Sequence, residues 1–184
     1  MPRVTPASRR SVKSSVPGGV LVAIPAPQRW FAILFLPVWL AGWAFGEVTV
    51  ARQLIFGSGA PPVFLLVWLA FWTVGGAFAM AALAWGVAGR ELVTLSRGTF
   101  SVRREVLGLG RTWDYDADKV RGLRVSTGGF DPFSMSAGFR VWGLSGGPLA
   151  FDYGARTVRF GAGVDEAEAA DIVRELSEWL PRSA

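Results

Sequence analysis

FAILFLPVWLAGWAFGEVTV (Phe31 to Val50) and VFLLVWLAFWTVGGAFAMAALAWGV (Val63 to Val87) decide how this chain is organised. An α-helix rises about 1.5 Å per residue, so roughly 20 apolar residues cover the ~30 Å hydrocarbon core of a bilayer. Both runs reach that length. The first holds one ionisable residue, Glu47, near its far end, and the second holds none. The connection Ala51–Pro62 carries only Arg52, with Gly57, Gly59, Pro61 and Pro62 to make a turn. The expectation is a transmembrane hairpin over 31–87, spanning at 31–50 and 63–87. Pro37 should kink the first span, because proline lacks an N–H and crowds the preceding turn.

The spans are complementary in side-chain size. Gly42 and Gly46 form a GxxxG step, and Gly75, Ala79, Ala82 and Gly86 line one stripe of the second span. In an antiparallel pair the first two meet Trp68 and Trp72, and the stripe meets Trp39, Phe35 and Phe31. Large side chains set into small notches let helices approach closely in lipid. The same notches would equally accept a partner helix, from a second copy or another protein.

The composition excludes much chemistry. The chain has no Cys and no His. Disulfides, thiolate nucleophiles, His-dependent triads and the usual zinc and haem ligand sets are therefore out. The net charge of +5 is concentrated in residues 1–30, where Arg3, Arg9, Arg10, Lys13 and Arg29 face no acid. From Arg90 onward, 13 basic residues balance 13 acidic ones. A neutral domain lacks the basic stripe that a phosphate backbone needs, so no nucleic-acid partner is expected. The basic N-terminal segment either sets topology or holds anionic lipid headgroups. Counting positive charge places both termini in the cytoplasm, with Trp30 and Trp85 as belt residues at the inner interface.

Residues 1–19 read as a disordered basic tail and 20–30 as a short strand with a juxtamembrane segment. The strand, Val20–Ile24, would add to the edge of the later domain. Ser8-Arg9-Arg10-Ser11-Val12-Lys13 lacks the apolar core that an export signal needs. Beyond Arg90 the period becomes two. Glu91–Ser96, Thr99–Val106, Arg111–Asp116, Val120–Ser126, Phe139–Leu144, Leu149–Tyr153 and Thr157–Gly161 read as seven strands. Asp165 to Leu180 reads as an amphipathic helix burying Ala169, Ile172, Val173, Leu176, Trp179 and Leu180. Asp165 and Glu168 make a capping-box-like start, and Pro181 ends it.

Seven strands and a C-terminal helix follow the order of a PH-like barrel capped by its helix. The expected fold is thus a membrane-anchored α+β chain whose domain covers 90–182. Residues 20–180 resemble small bacterial membrane proteins with a two-span hairpin followed by a bacterial PH-like domain. The matching residues are Gly42-Trp43 with Gly46-Glu47, Phe71-Trp72 with Gly75-Gly76, and Gly89-Arg90-Glu91. The longest match runs from Phe151-Asp152-Tyr153-Gly154 through Arg159-Phe160-Gly161-Ala162-Gly163 to Asp165-Glu166-Ala167-Glu168-Ala169. The resemblance implies a fold and a place in the bacterial inner membrane, and no chemistry.

Candidate sites are few. Asp114, Asp116 and Asp118 imitate the opening of a calcium loop, but Lys119 and Val125 stand where that loop needs Gly and a carboxylate. Gly161-Ala162-Gly163 precedes a helix, yet Asp165, Glu166 and Glu168 would repel a phosphate there. No cofactor, metal or catalytic residue is expected. Arg97, Arg103 and Arg104 are candidate lipid contacts. Phe130, Phe133 and Met135, on an apolar loop, are candidates for a partner or a membrane surface. Glu47 is a functional candidate because carboxylates at membrane depth are costly. The expected function is noncatalytic: binding a protein partner or scaffolding a membrane complex, with sheet-edge addition as one mode. The alternative is a lipid-binding sensor using the basic tail and the aromatic loop.

Overall fold

The computed structural model describes residues 11–57, 63–126 and 146–180. The chain forms two compact units. One holds the strands and the C-terminal helix, and the other is residues 28–87.

The first unit is α+β. Five antiparallel strands lie in sequence order: β1 (Val12–Val16), β2 (Gly19–Pro25), β3 (Gly89–Ser96), β4 (Thr99–Val106) and β5 (Leu109–Asp116). A second antiparallel sheet holds β6 (Val120–Val125), β7 (Leu149–Tyr153) and β8 (Arg156–Phe160). The expected strand Phe139–Leu144 lies outside the described residues. Alternation decides which side chains enter the core, since successive side chains of a strand point to opposite faces. Val20, Val22 and Ile24 of β2, Val93 and Leu95 of β3, and Phe100 and Val102 of β4 are all buried. The two sheets share this core. Phe100 meets Phe151 edge-on at 4.9 Å, and Tyr115 meets Phe151 at 5.1 Å between centroids. The C-terminal helix α3 (Glu166–Trp179) adds Ala169, Ile172 and Leu176 to the same core. Trp179, expected on the apolar face, is half exposed.

The segment expected to be disordered contains β1. Its middle, Lys13-Ser14-Ser15, is polar, and the segment is tied down twice. Ser11 donates from its backbone N–H at 2.7 Å and from its Oγ to Glu168 Oε1, and Lys13 pairs with Glu175, both on α3. Neither tie leaves an apolar period to read. Glu168 therefore does not complete a capping box, although Asp165 accepts its N–H at 2.8 Å. β2 is correspondingly an interior strand between β1 and β3, not an edge. β2 and β3 pair from Gly19↔Ser96 to Pro25↔Arg90, although the whole helical unit lies between them in sequence. Ala26 N–H donates to Gly89 O at 2.9 Å, extending that ladder to the last residue before the helical unit's approach.

The second unit holds α1 (Trp30–Phe56) and α2 (Val63–Ala88). α1 continues six residues past the expected span, because nothing breaks it before Gly57, whose N–H closes on Gln53 O. It runs as one helix through Pro37. Both helices are long and apolar enough to cross a membrane, and little of either is buried: 6% of the most apolar window in α1 and 11% in α2. Of the two expected belt residues, Trp30 is exposed and Trp85 is buried.

Candidate functional site

The sheet unit carries two charge clusters where β3 and β4 pair. Alternation places Glu91 on the core face beside Val93 and Leu95, a position that would otherwise take an aliphatic residue. Its register partner is Arg104. Arg104 Nε donates to Glu91 Oε1 at 2.7 Å, and the N–H of Gly161 donates to Oε2 at 2.5 Å. Gly161 sits at φ +77°, a left-handed conformation that glycine adopts without steric cost, and this aims its N–H inward. The carboxylate thus joins β3, β4 and the turn before α3. The Gly161-Ala162-Gly163 turn spends its first amide on this carboxylate. At Gly163 any Cβ would collide with the carbonyl of Pro25.

One residue along, the opposite face holds the second cluster. Glu105 is 4% exposed and accepts from Arg103 Nε and Arg90 Nε, each at 2.6 Å. Hydrogen bonds from Arg103, then Arg90, hold its carboxyl below the usual range. Arg103 also donates to Gly108 O at 2.9 Å, tying the cluster to the β4–β5 turn.

This geometry divides the three arginines picked out as lipid contacts. Arg103 and Arg104 serve carboxylates on opposite faces of the sheet. Arg97 occupies the β3–β4 turn, about 16 Å along the strand from the Leu92–Arg103 pair at roughly 3.3 Å per residue. The three make no common cradle. Phe130, Phe133 and Met135 lie outside the described residues. The sequence reading missed Glu91 and Glu105. For Glu91 the available signal was an acid at a position where alternation demands an apolar side chain; Glu105, on the other face, gave no such signal.

The acidic triplet has other work. Asp114 accepts from Ser101 Oγ at 2.6 Å. Asp116 accepts the N–H of Asp118 at 3.1 Å and pairs with Lys119 at 3.0 Å, capping the short 3-10 turn Ala117–Lys119. The lysine holds the Asp116 carboxyl below its usual value. Among the described residues no three His, Cys, Asp or Glu side chains are grouped to hold a metal ion. An open cleft lies against Asp118, Lys119, Arg121, Asp152, Tyr153 and Arg156. Asp152 is already engaged by Arg124 at 2.6 Å and Thr157 at 2.7 Å, which lowers its pKa.

In the helical unit, the seam is made by tryptophans in glycine notches. Trp43 Nε1 donates to Trp72 O at 3.0 Å, and Trp72 Nε1 donates to Trp43 O at 3.4 Å. The Trp43 ring fills the space where Gly76 would carry a Cβ, and Trp72 lies 3.7 Å from that position at Gly46. Gly42 and Gly75, expected in the seam, have nothing within 4 Å of theirs. Ala79 and Ala82 are buried, and Gly86 approaches Ile33 at 4.0 Å rather than Phe31. The error is one of helical phase: Gly75 and Gly76 differ by about 100° around the axis. Glu47 Oε1 accepts from Thr73 Oγ1 at 2.6 Å, crossing between the helices, while Oε2 is buried without a hydrogen-bond partner.

Comparison of the chain with protein-family models, with curated proteins and with solved structures gives no match.

Proposed function

We propose that α1 and α2 cross the bacterial inner membrane as a hairpin and hold the sheet unit at its cytoplasmic face. There it acts without catalysis, binding a protein partner or scaffolding a membrane complex. The observation that carries this reading is the exposure of two strongly apolar helices. The core helix of a soluble protein would be mostly buried, whereas these need a covering of lipid or of other spans. Strand pairing adds support. β2 and β3 are hydrogen-bonded, so both lie in one compartment, and the chain between them must cross the membrane an even number of times. Two spans satisfy that condition.

The sheet unit is read as a PH-like barrel closed by α3, an arrangement in keeping with the Phe100, Tyr115, Phe151 and Phe160 cluster that joins the sheets. β5 stands at one edge of the sheet order, where an extended peptide can add as a further strand. The carboxylates of both β3–β4 clusters are taken up by arginines or a backbone amide, which favours a structural role for them over chemistry. The lipid-sensing alternative loses Arg103 and Arg104 as free phosphate ligands. The test is purification of the tagged full-length chain from native membranes in mild detergent. A stoichiometric companion protein is expected. A self-associated chain carrying only lipid would overturn the hetero-partner reading.

A further inference from the structure

We propose that the β4–β5 turn, Leu107-Gly108-Leu109, is a membrane-insertion tip that seats the sheet unit on the bilayer surface. This rests on the reading that α1 and α2 span that bilayer.

Among the described residues, the two leucines are the most exposed large apolar side chains of the sheet unit, at 85% and 82%. Leu107 also adopts φ +52°, a left-handed conformation that disfavours side chains with a Cβ and in two-residue hairpins usually selects Asn, Asp or Gly. A leucine kept there incurs a backbone cost and gains no burial within the described residues. The turn is not loose, since Arg103 holds the Gly108 carbonyl at 2.9 Å.

Register shows which way the tip points. Val106 pairs with Gly89, the residue directly after α2, and Arg90 pairs with Pro25, at the end of the strand that leads into α1. The tip therefore projects from the end of the sheet at which the chain leaves for the helices and returns. The β3–β4 turn offers an internal contrast. It is also a two-residue turn with a non-glycine residue at positive φ followed by glycine, and it caps the other end of the same sheet. There the residue is Arg97, a charged side chain, in the place that Leu107 takes. One backbone geometry thus carries an apolar side chain at the helix-bearing end and a charged one at the far end.

The surroundings leave one arginine to an anionic headgroup layer. Arg90, Arg103 and Arg104, in the last pairs before the tip, are held by Glu105 and Glu91, whereas Arg111 is not. Arg111 lies over the Trp113 ring at 5.4 Å, and no carboxylate among the described residues pairs with it. Apolar side chains flanked by basic ones are the pattern of interfacial anchors.

The test places a nitroxide, one site at a time, at Leu109→Cys, Arg97→Cys and Phe45→Cys in the otherwise cysteine-free full-length chain. The protein is reconstituted into vesicles of phosphatidylcholine with phosphatidylglycerol, and depth is read from collision with oxygen against a water-soluble nickel chelate. The expected result is a label at 109 lying roughly 5–10 Å below the phosphates, a label at 97 in water and a label at 45 in hydrocarbon. An aqueous label at 109 with 45 in hydrocarbon overturns the tip and leaves the spanning hairpin standing. Aqueous labels at both 45 and 109 overturn the hairpin, and the tip with it. A second label at Leu107→Cys guards against distortion at 109, and an aqueous signal at both leucines is decisive against the proposal.

Discussion

Replacing Glu91 with leucine removes an acid from the core and is expected to destabilise the domain. Its side chain is 2% exposed and holds two donors, Arg104 Nε and the Gly161 N–H. A hydrogen bond to a charged group is worth about 1.5–3 kcal/mol, and a buried donor left without an acceptor costs about 1–3 kcal/mol. Arg104 is 29% exposed and can turn toward water, so its share falls at the low end. The Gly161 amide faces the core and has no such escape. Together these give about 3 kcal/mol for Glu91→Leu. Arg104→Leu leaves the carboxylate buried with one amide, a loss of about 3 kcal/mol on the scale of broken buried pairs. The double replacement removes both polar groups, and apolar substitutes for a buried pair are often neutral. Only the Gly161 amide is then stranded, at about 1–2 kcal/mol. The double mutant should therefore be more stable than either single one, with a coupling above about 2 kcal/mol. Urea unfolding of the full-length chain in mild detergent, read by pulse proteolysis of the sheet unit, measures this. Additive single effects would refute the reasoning, since they would mean that Glu91 and Arg104 act independently.

Other expectations follow from the same contacts. Gly76→Leu should separate α1 from α2, at an overpacking cost of about 1–3 kcal/mol, because the Trp43 ring fills that notch. Gly75→Leu should be tolerated, and thermal stability in detergent compares the two. Glu105 is held below the ordinary value of 4.5 by Arg103 and Arg90. Its folded pKa is lower than its unfolded one, so the stability it contributes is present above that value and is lost as pH falls through the folded pKa. Arg103→Ala should start this acid-side loss at a higher pH, visible in urea midpoints taken from neutral pH downward. Glu168→Ala removes the acceptor of the Ser11 N–H and Oγ and should raise hydrogen exchange in β1 while leaving β3 protected.

The apolar runs were legible because length and the absence of charge are properties of the sequence itself, and the helices occupy those runs. The β3 to β5 ladder was legible because period-two alternation and the Arg97-Gly98 turn agree; the second turn was read at Gly108-Leu109-Gly110, two residues of which, Leu109 and Gly110, already pair with β4. The charge clusters were not, because Glu91 and Arg104 become partners only once register is set. β1 was hidden for a related reason. Its anchors are Glu168 and Glu175, more than 150 residues away, and a polar strand held by distant carboxylates has no local signature. The glycine seam was legible in part. Gly46 meets Trp72 as its GxxxG spacing suggested, while Gly42 has nothing within 4 Å; in the second helix the stripe was read through Gly75, but Trp43 selects its neighbour Gly76, and only the rotation of the helix decides between those two.

Thiol labelling in intact cells tests the central claim most directly, since a chain without cysteine gives single sites free of background. Phe56→Cys at the far end of α1, Ser14→Cys in β1 and Ser177→Cys in α3 are all exposed positions. A membrane-impermeant maleimide should label position 56 in intact cells and positions 14 and 177 only after lysis, placing both contributions to the sheet unit together on the inner side. Labelling of 14 and 177 on opposite sides, or recovery of the protein in the soluble fraction, would contradict the account.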